Sequence, residues 1–330
     1  MIGVEHLTRD YGPRRAVDDL SFHVDSGEVV GFLGPNGAGK TTTMRMITGY
    51  LVPTSGTVTV AGVDALDNSL EARRQVGYLP ESVPLYRDMT TRSYLQFMAR
   101  LHGLDKSRAR ARVSDVVETC GLEDYVDVLI AKLSKGYRQR VGLSQAIIHD
   151  PPVLVLDEPT IGIDPIQAAE TKRLIKDLGH DRTILISSHV LSEVSQLCRR
   201  VIIIDQGKLV AEDSIDSLST RLAGGRRLRV MTAGGPPTEV TARLEAIESV
   251  RSVTYDGSGH LVDYAQGEEP QAEIARAIVE SGWSLLATEK MDMNLEDIFL
   301  QVTGTAGAAE DKGAPSGGDR AARVADGDPR

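Results

Sequence analysis

The chain has 330 residues, more than one hydrophobic core usually serves, so its length predicts two domains with some chain to spare. An apolar share of 41% and a charged share of 25% match a globular protein and exclude a fibrous, disulfide-framework or wholly disordered chain. Lys and Arg number 37 against 47 Asp and Glu, a formal charge of −10; a surface of that sign repels phosphate backbones, so no nucleic-acid partner is expected.

From residue 1 to 225, short β-branched runs alternate with helix-length segments, the pattern of an α/β domain whose central sheet is mixed and largely parallel. Glu28 to Leu33, Val153 to Asp157, Thr183 to Ser187 and Val201 to Asp205 read as buried strands. Residues from about 82 to 150 are helix-rich and read as an inserted helical subdomain. The composition shifts around Gly224-Gly225-Arg226-Arg227, and residues 226–303 then read strand, helix, strand, strand, helix, strand. That is the plan of a small ferredoxin-like α+β domain. Its strands are Leu228 to Met231, Ser249 to Tyr255, His260 to Tyr264 and Trp283 to Thr288, its helices lie near Glu239 to Ile247 and Ala272 to Glu280, and a last helix is expected at Leu295 to Val302. Residues 304–330 are Gly, Ala and charges without apolar periodicity, the composition of a disordered tail.

Cys120 and Cys198 form no CxxC spacing, so neither a zinc site nor a disulfide framework is predicted, and a reducing cytoplasm fits. The longest apolar runs are strand-sized, which predicts no membrane-spanning helix. The N-terminal residues, with Glu5 and Asp10, lack the apolar core of a secretory signal.

Gly34-Pro35-Asn36-Gly37-Ala38-Gly39-Lys40-Thr41-Thr42 matches GxxxxGK[ST] and lies between a predicted buried strand and a helix beginning near Lys40. Glycines at these positions let backbone N–H groups curl inward onto phosphate oxygens, and a helix N-terminus adds partial positive charge. Lys40 is then placed to reach the β and γ phosphates of ATP, and the Thr41 hydroxyl to ligate Mg²⁺. The run Val153 to Asp157, followed by Glu158, is a buried strand ending in two adjacent carboxylates. Because side chains alternate along a strand, the two point differently: Asp157 is suited to Mg²⁺ and Glu158 to orienting or deprotonating water.

With these motifs on the page, residues 2 to 225 resemble the nucleotide-binding subunit of an ATP-binding cassette (ABC) transporter. Leu133-Ser134-Lys135-Gly136-Tyr137-Arg138-Gln139-Arg140 looks like that family's signature motif. Read by itself it is a helix cap, with Ser134 as N-cap. The resemblance implies that two cassettes pair head to tail, Ser134 and Gly136 of one copy facing the γ-phosphate held by the Lys40 loop of the other. It further implies that Tyr11 stacks on adenine, that Asp164 bridges the two copies, and that His189, after Ser187-Ser188, hydrogen-bonds the γ-phosphate. The other histidines read as surface or packing residues.

Two positions depart from the family pattern. Glu81 in Gly77-Tyr78-Leu79-Pro80-Glu81 stands where Gln is usual, where it can ligate Mg²⁺ or repel the γ-phosphate, and the signature reads LSKGY rather than LSGGQ, so Lys135 adds charge at the second nucleotide face. The basic stretch Arg92, Arg100, Lys106, Arg108, Arg110 and Arg112 is either a solvated helix face or a contact to a membrane partner. Taken together, the resemblance implies an ATP-hydrolysing subunit, homodimeric with ATP, acting at the cytoplasmic face of the membrane through a separate permease and exporting a drug, lipid or other small molecule. A soluble ABC ATPase of DNA repair or translation is the rival; it usually carries two cassettes or a long coiled-coil insertion, and the interval from Glu81 to Leu133 is too short for the latter.

Overall fold

The structure, a computed structural model, describes residues 1–215, 217, 225–265 and 268–291. The helix expected at Leu295 to Val302 and the tail 304–330 lie outside the described residues.

Strands β1 (Ile2–Tyr11) and β2 (Arg14–Val24) form an antiparallel hairpin, after which β3 (Val29–Leu33) opens a second sheet and runs into helix α1 (Lys40–Ile47). Strands β4 (Ser55–Val60) and β5 (Val63–Asp64) return to the first sheet, in the order β2-β1-β4-β5. Helix α2 (Ser69–Arg74) leads to β6 (Val76–Leu79), and α3 (Thr91–Leu101), α4 (Lys106–Thr119) and α5 (Lys135–Ile147) form the expected helical insertion. The chain continues through β7 (Val153–Asp157), α6 (Pro165–Leu178), β8 (Thr183–Ser188), the short α7 (Leu191–Val194), β9 (Arg200–Asp205) and β10 (Lys208–Ser214). The second sheet runs β10-β9-β3-β8-β7-β6, parallel except for β10, so it is mixed and largely parallel as the sequence predicts.

The first sheet adds four strands, β1, β2, β4 and β5, to those named from the sequence. Its pairing slips between Val4 and Leu7 and again between Leu7 and Arg9, with His6 and Asp19 at φ +50° and +51°. Such bulges break the two-residue alternation by which a strand is recognised.

Alternation along the buried strands divides two cores. Val153 and Val155 of β7 and Leu185 of β8 pack with Phe22, Phe32, Met44 and Met46 between the sheets, whereas Leu154, Leu156, Ile184 and Ile186 pack with Tyr94, Val116 and Leu143 of the helical insertion. Met44 and Met46 are fully buried, as core residues should be. Each such side chain contributes about 1.5–3 kcal/mol on burial. The sheet is thus clamped on both faces, and its strand ends are held in fixed relative positions.

The C-terminal strands β11 (Gly225–Ala233), β12 (Val250–Tyr255), β13 (His260–Ala265) and β14 (Ser284–Met291), with helices Pro237–Glu245 and Gln271–Glu280, form an antiparallel sheet in the order β12-β13-β11-β14. This is the ferredoxin-like order. Leu228, Val230, Val240, Val262 and Ile274 belong to a hydrophobic cluster distinct from those of the cassette.

His102, which follows α3, stacks on His149, which follows α5, with ring centroids 3.9 Å apart and planes 4° from parallel. Burial, and then the His102 ring, push the His149 imidazole down from 6.5 to about 4. The unfolded chain therefore takes up this proton first as pH falls, so the associated stability is present above about pH 6.5 and is lost as pH falls towards about 4. Thermal melting of the wild type should fall across that window, and His149→Gln should show a shallower fall on the same plot.

Candidate active site

The parallel strands β3, β7 and β8 end side by side, and each delivers one part of the site. Beyond β3, Gly34 to Gly39 form the loop that enters α1. A Cβ on Gly34 would lie 2.4 Å from the Ile204 carbonyl oxygen, and Gly39 sits at φ +105° with the Ala16 carbonyl 2.6 Å from where its Cβ would be. Only glycine fits either place. Gly39 is the N-cap of α1 and offers no side-chain cap, so the first N–H groups of the helix are left for an anion.

Lys40 is 6% exposed, and its Nζ donates to the carbonyls of Gly34 (2.7 Å) and Pro35 (3.3 Å). It also ion-pairs with Glu158 Oε1 at 3.5 Å. His189 Nδ1 lies within hydrogen-bond distance of both oxygens of that carboxylate, Oε1 at 3.1 Å and Oε2 at 3.0 Å. Glu158 adopts φ +48°, a left-handed conformation that costs a residue with a side chain about 1–2 kcal/mol. That turn separates it from Asp157, whose Oδ1 accepts a 2.6 Å hydrogen bond from Ser187 Oγ and whose buried Oδ2 has no hydrogen-bond partner among the described residues. The two carboxylates have different partners, as the strand-end reading predicts.

A cleft of about 350 Å³ opens over this arrangement, lined by Tyr11, Asn36, Gly37, Gly39, Lys40, Thr41, Thr42, Glu81 and Glu158 among the predicted residues. The Tyr11 side chain is 45% exposed, which leaves it accessible at the cleft. Gly34 and Ala38 are buried in the loop's framework, and Asp157 is buried at the end of β7. Ile161, which opens the loop leading to Asp164, also lines the cleft, and so does Arg14, which no sequence motif marked. Arg14 follows Tyr11 and Gly12 at the β1–β2 turn and adds a cation beside the phosphate loop.

Ser134, Lys135, Gly136 and Asp164 lie outside that cleft. Ser134 is the exposed N-cap of α5, accepting from the Tyr137 N–H at 3.3 Å, and Asp164 caps α6, accepting from the Gln167 N–H at 3.0 Å. A Cβ on Gly136 would fall 1.5 Å from Gln167 Oε1, so glycine lets α5 and α6 approach there. Lys135 lines a neighbouring depression of about 280 Å³, together with Glu81, Arg87, Arg138 and Ile161.

A glycine loop at a helix N-terminus, a buried lysine and a strand-end carboxylate pair define a P-loop nucleotide hydrolase. The family model described as ABC transporter matches residues 17–161. A bacitracin transport ATP-binding protein of Bacillus licheniformis is 35% identical over 92% of this chain and 97% of its own. A Nod factor export ATP-binding protein of Burkholderia pseudomallei is 35% identical over 92% and 97%, and a linearmycin resistance ATP-binding protein of Bacillus subtilis is 32% identical over 92% and 98%. The solved ATP-binding subunit of an ABC transporter superimposes with a TM-score of 0.62 at 29% identity, covering 68% of this chain and 93% of that one. The chain belongs to the ABC transporter ATP-binding protein family, and it is an ATPase subunit.

Replacing Lys40 by Met removes the buried ammonium from the phosphate cradle. ATP affinity, read by titration with a fluorescent analogue, should fall by about 1.5–3 kcal/mol, the worth of charge-assisted hydrogen bonds, while the melting curve remains cooperative.

Proposed function

We propose that two copies of this chain close around two molecules of MgATP and that the closing and opening of the pair drives a separate membrane permease. The observation that carries this reading is the separation within one chain. Lys40 and Glu158 line one cleft, with His189 hydrogen-bonded to Glu158 behind them, whereas the exposed Ser134 N-cap of the 13-residue α5 lies outside it. A helix N-terminus attracts an anion, so a γ-phosphate held by Lys40 of one copy is the natural ligand of Ser134 and Gly136 of the second. Asp164, with its N-cap carboxylate at the start of α6, bridges the copies, and the Tyr11 ring stacks on adenine.

Asp157, Thr41 and Glu81 are the residues that would hold Mg²⁺. All three offer oxygen, the donor this hard cation takes, and Asp157 Oδ2 is a buried oxygen without a hydrogen-bond partner among the described residues. When bound, the ion neutralises charge on the β and γ phosphates. Before nucleotide arrives, Glu158 is paired with Lys40; a γ-phosphate that takes up Lys40 frees the carboxylate to orient the attacking water and accept its proton. His189 holds both oxygens of the carboxylate and reaches the γ-phosphate. Loss of that phosphate removes the contact between the copies, and the pair opens.

The permease contact is the basic stretch of the helical insertion. Arg92 is committed to Asp127, Arg108 to Asp105, and Arg112 to Asp115 and the Ile147 and Ile148 carbonyls. Arg100, Lys106 and Arg110 instead surround Phe97 and Leu101 in a groove of about 540 Å³ between α3 and α4. Through that partner the chain works at the cytoplasmic face of the membrane. The relatives' names, bacitracin transport, linearmycin resistance and Nod factor export, support export of a small molecule.

Glu158→Gln should cut phosphate release by about 10²–10⁴-fold, the usual contribution of a general base, with ATP binding retained; native turnover would remove Glu158 from this role. A mixing experiment tests the shared site. Lys40→Met and Ser134→Arg copies should each be inactive alone, and mixing them should restore part of the activity, because each mixed pair holds one intact composite site. Absence of any recovery would contradict the head-to-tail arrangement.

A further inference from the structure

Ser187 ends on β8 directly opposite Asp157 of β7 in the parallel register, and its side chain is fully buried. Its single hydroxyl bonds both neighbouring carboxylate residues: Oγ donates to Asp157 Oδ1 at 2.6 Å and accepts the backbone N–H of Glu158 at 2.9 Å. No family motif named above gives this serine a role. We propose that Ser187 is a positioning residue that sets, through one oxygen, both the metal-facing oxygen of Asp157 and the left-handed backbone of Glu158. The inference rests on the ATPase reading and deepens it.

The argument runs from the hydroxyl's inventory. Serine has one hydroxyl hydrogen to donate, and here it donates to Asp157, which is held as an acceptor at Oδ1. Rotation about the last carboxylate torsion is otherwise broad and two-fold. Fixing Oδ1 fixes Oδ2, the buried oxygen that has no hydrogen-bond partner among the described residues. The remaining lone pairs face Glu158, whose φ of +48° is a conformation a glutamate adopts only when its surroundings impose it. The N–H to Oγ bond supplies that restraint. His189, two residues beyond Ser187, meets the Glu158 carboxylate from the same strand end. Ligand, base and switch histidine are therefore registered to one another by the pairing of β7 with β8, and Ser187 is the side chain that transmits the register.

The test uses the full chain with Ser187→Ala, which removes one oxygen and adds nothing. Mn²⁺ serves as the probe for the metal site, its binding in the presence of ADP followed by electron paramagnetic resonance; nucleotide binding is measured separately in EDTA with a fluorescent ADP. The expected result is Mn²⁺ affinity lowered about 10- to 100-fold, as for loss of other groups that orient a metal ligand, with metal-free nucleotide affinity unchanged and turnover reduced at saturating Mg²⁺. Ser187→Thr, which keeps the hydroxyl, should recover metal binding. Native Mn²⁺ affinity in Ser187→Ala overturns the proposal, and so does an equal loss of metal-free nucleotide binding, which would mark a general packing role. Should the alanine variant melt without a cooperative transition, Ser187→Cys, of similar shape but a weaker donor, is judged by the same two affinities. A wild-type chain that binds Mn²⁺ with ADP yet releases no phosphate from MgATP would instead defeat the ATPase reading and leave the Ser187 comparison standing.

Discussion

A lysine ammonium held in a nearly dry pocket, between two backbone carbonyls and one carboxylate, is the interaction on which the rest of this site depends. Taking such a charge out of water costs several kcal/mol, and removing one partner of a buried pair typically costs about 3–5 kcal/mol. Lys40 tolerates burial because the loop carbonyls of Gly34 and Pro35 and the Glu158 carboxylate converge on it. Those groups come from two strands of one sheet, so the sheet must be rigid before the charge can be buried at all. The two hydrophobic clusters that clamp β7 and β8 from opposite faces supply that rigidity.

The same arrangement ties binding to chemistry. Glu158 serves as the counter-ion of Lys40 without nucleotide, and a phosphate competes for the same ammonium. On the proposed mechanism, the carboxylate is therefore restrained until the phosphate arrives. His189 keeps the carboxylate from leaving the pocket when the lysine is taken, since it contacts both oxygens. An exposed carboxylate could not behave this way, because solvent would screen the competition to a small fraction of its value.

Legibility from sequence followed contact range. The P-loop was readable because its chemistry is local: glycine, lysine and threonine act within one turn. The strand of Val153 to Asp157 was readable because both of its faces are buried, giving a continuous apolar run. The ferredoxin-like plan emerged from element order alone, and its strand pairing follows that order. What escaped depends on neighbours distant in the chain. Ser187 is an ordinary serine until Asp157 and Glu158 are set beside it, and Arg14 is a turn cation until α1 is brought against it. The antiparallel sheet escaped for a different reason, because bulges at His6 and Asp19 shift its alternation out of phase. Ser134 is legible as a cap and caps α5, whereas the capping of α6 by Asp164 emerges only from the structure; what either residue does across a second copy lies in no single chain.

The two departures from the family's usual pattern, Glu81 and Lys135, border one depression beside the nucleotide cleft, together with Arg87 and Arg138. A carboxylate in place of an amide adds negative charge at the cleft's edge, where it lines both the depression and the cleft itself. The lysine in the signature adds positive charge to the same depression. At such separations and in partial contact with solvent, each charge acts over about one Debye length, roughly 8–10 Å at physiological salt. Glu81 thus shares the depression with three cations, Arg87, Lys135 and Arg138, while in the cleft itself Arg14 and Lys40 stand against Glu81 and Glu158.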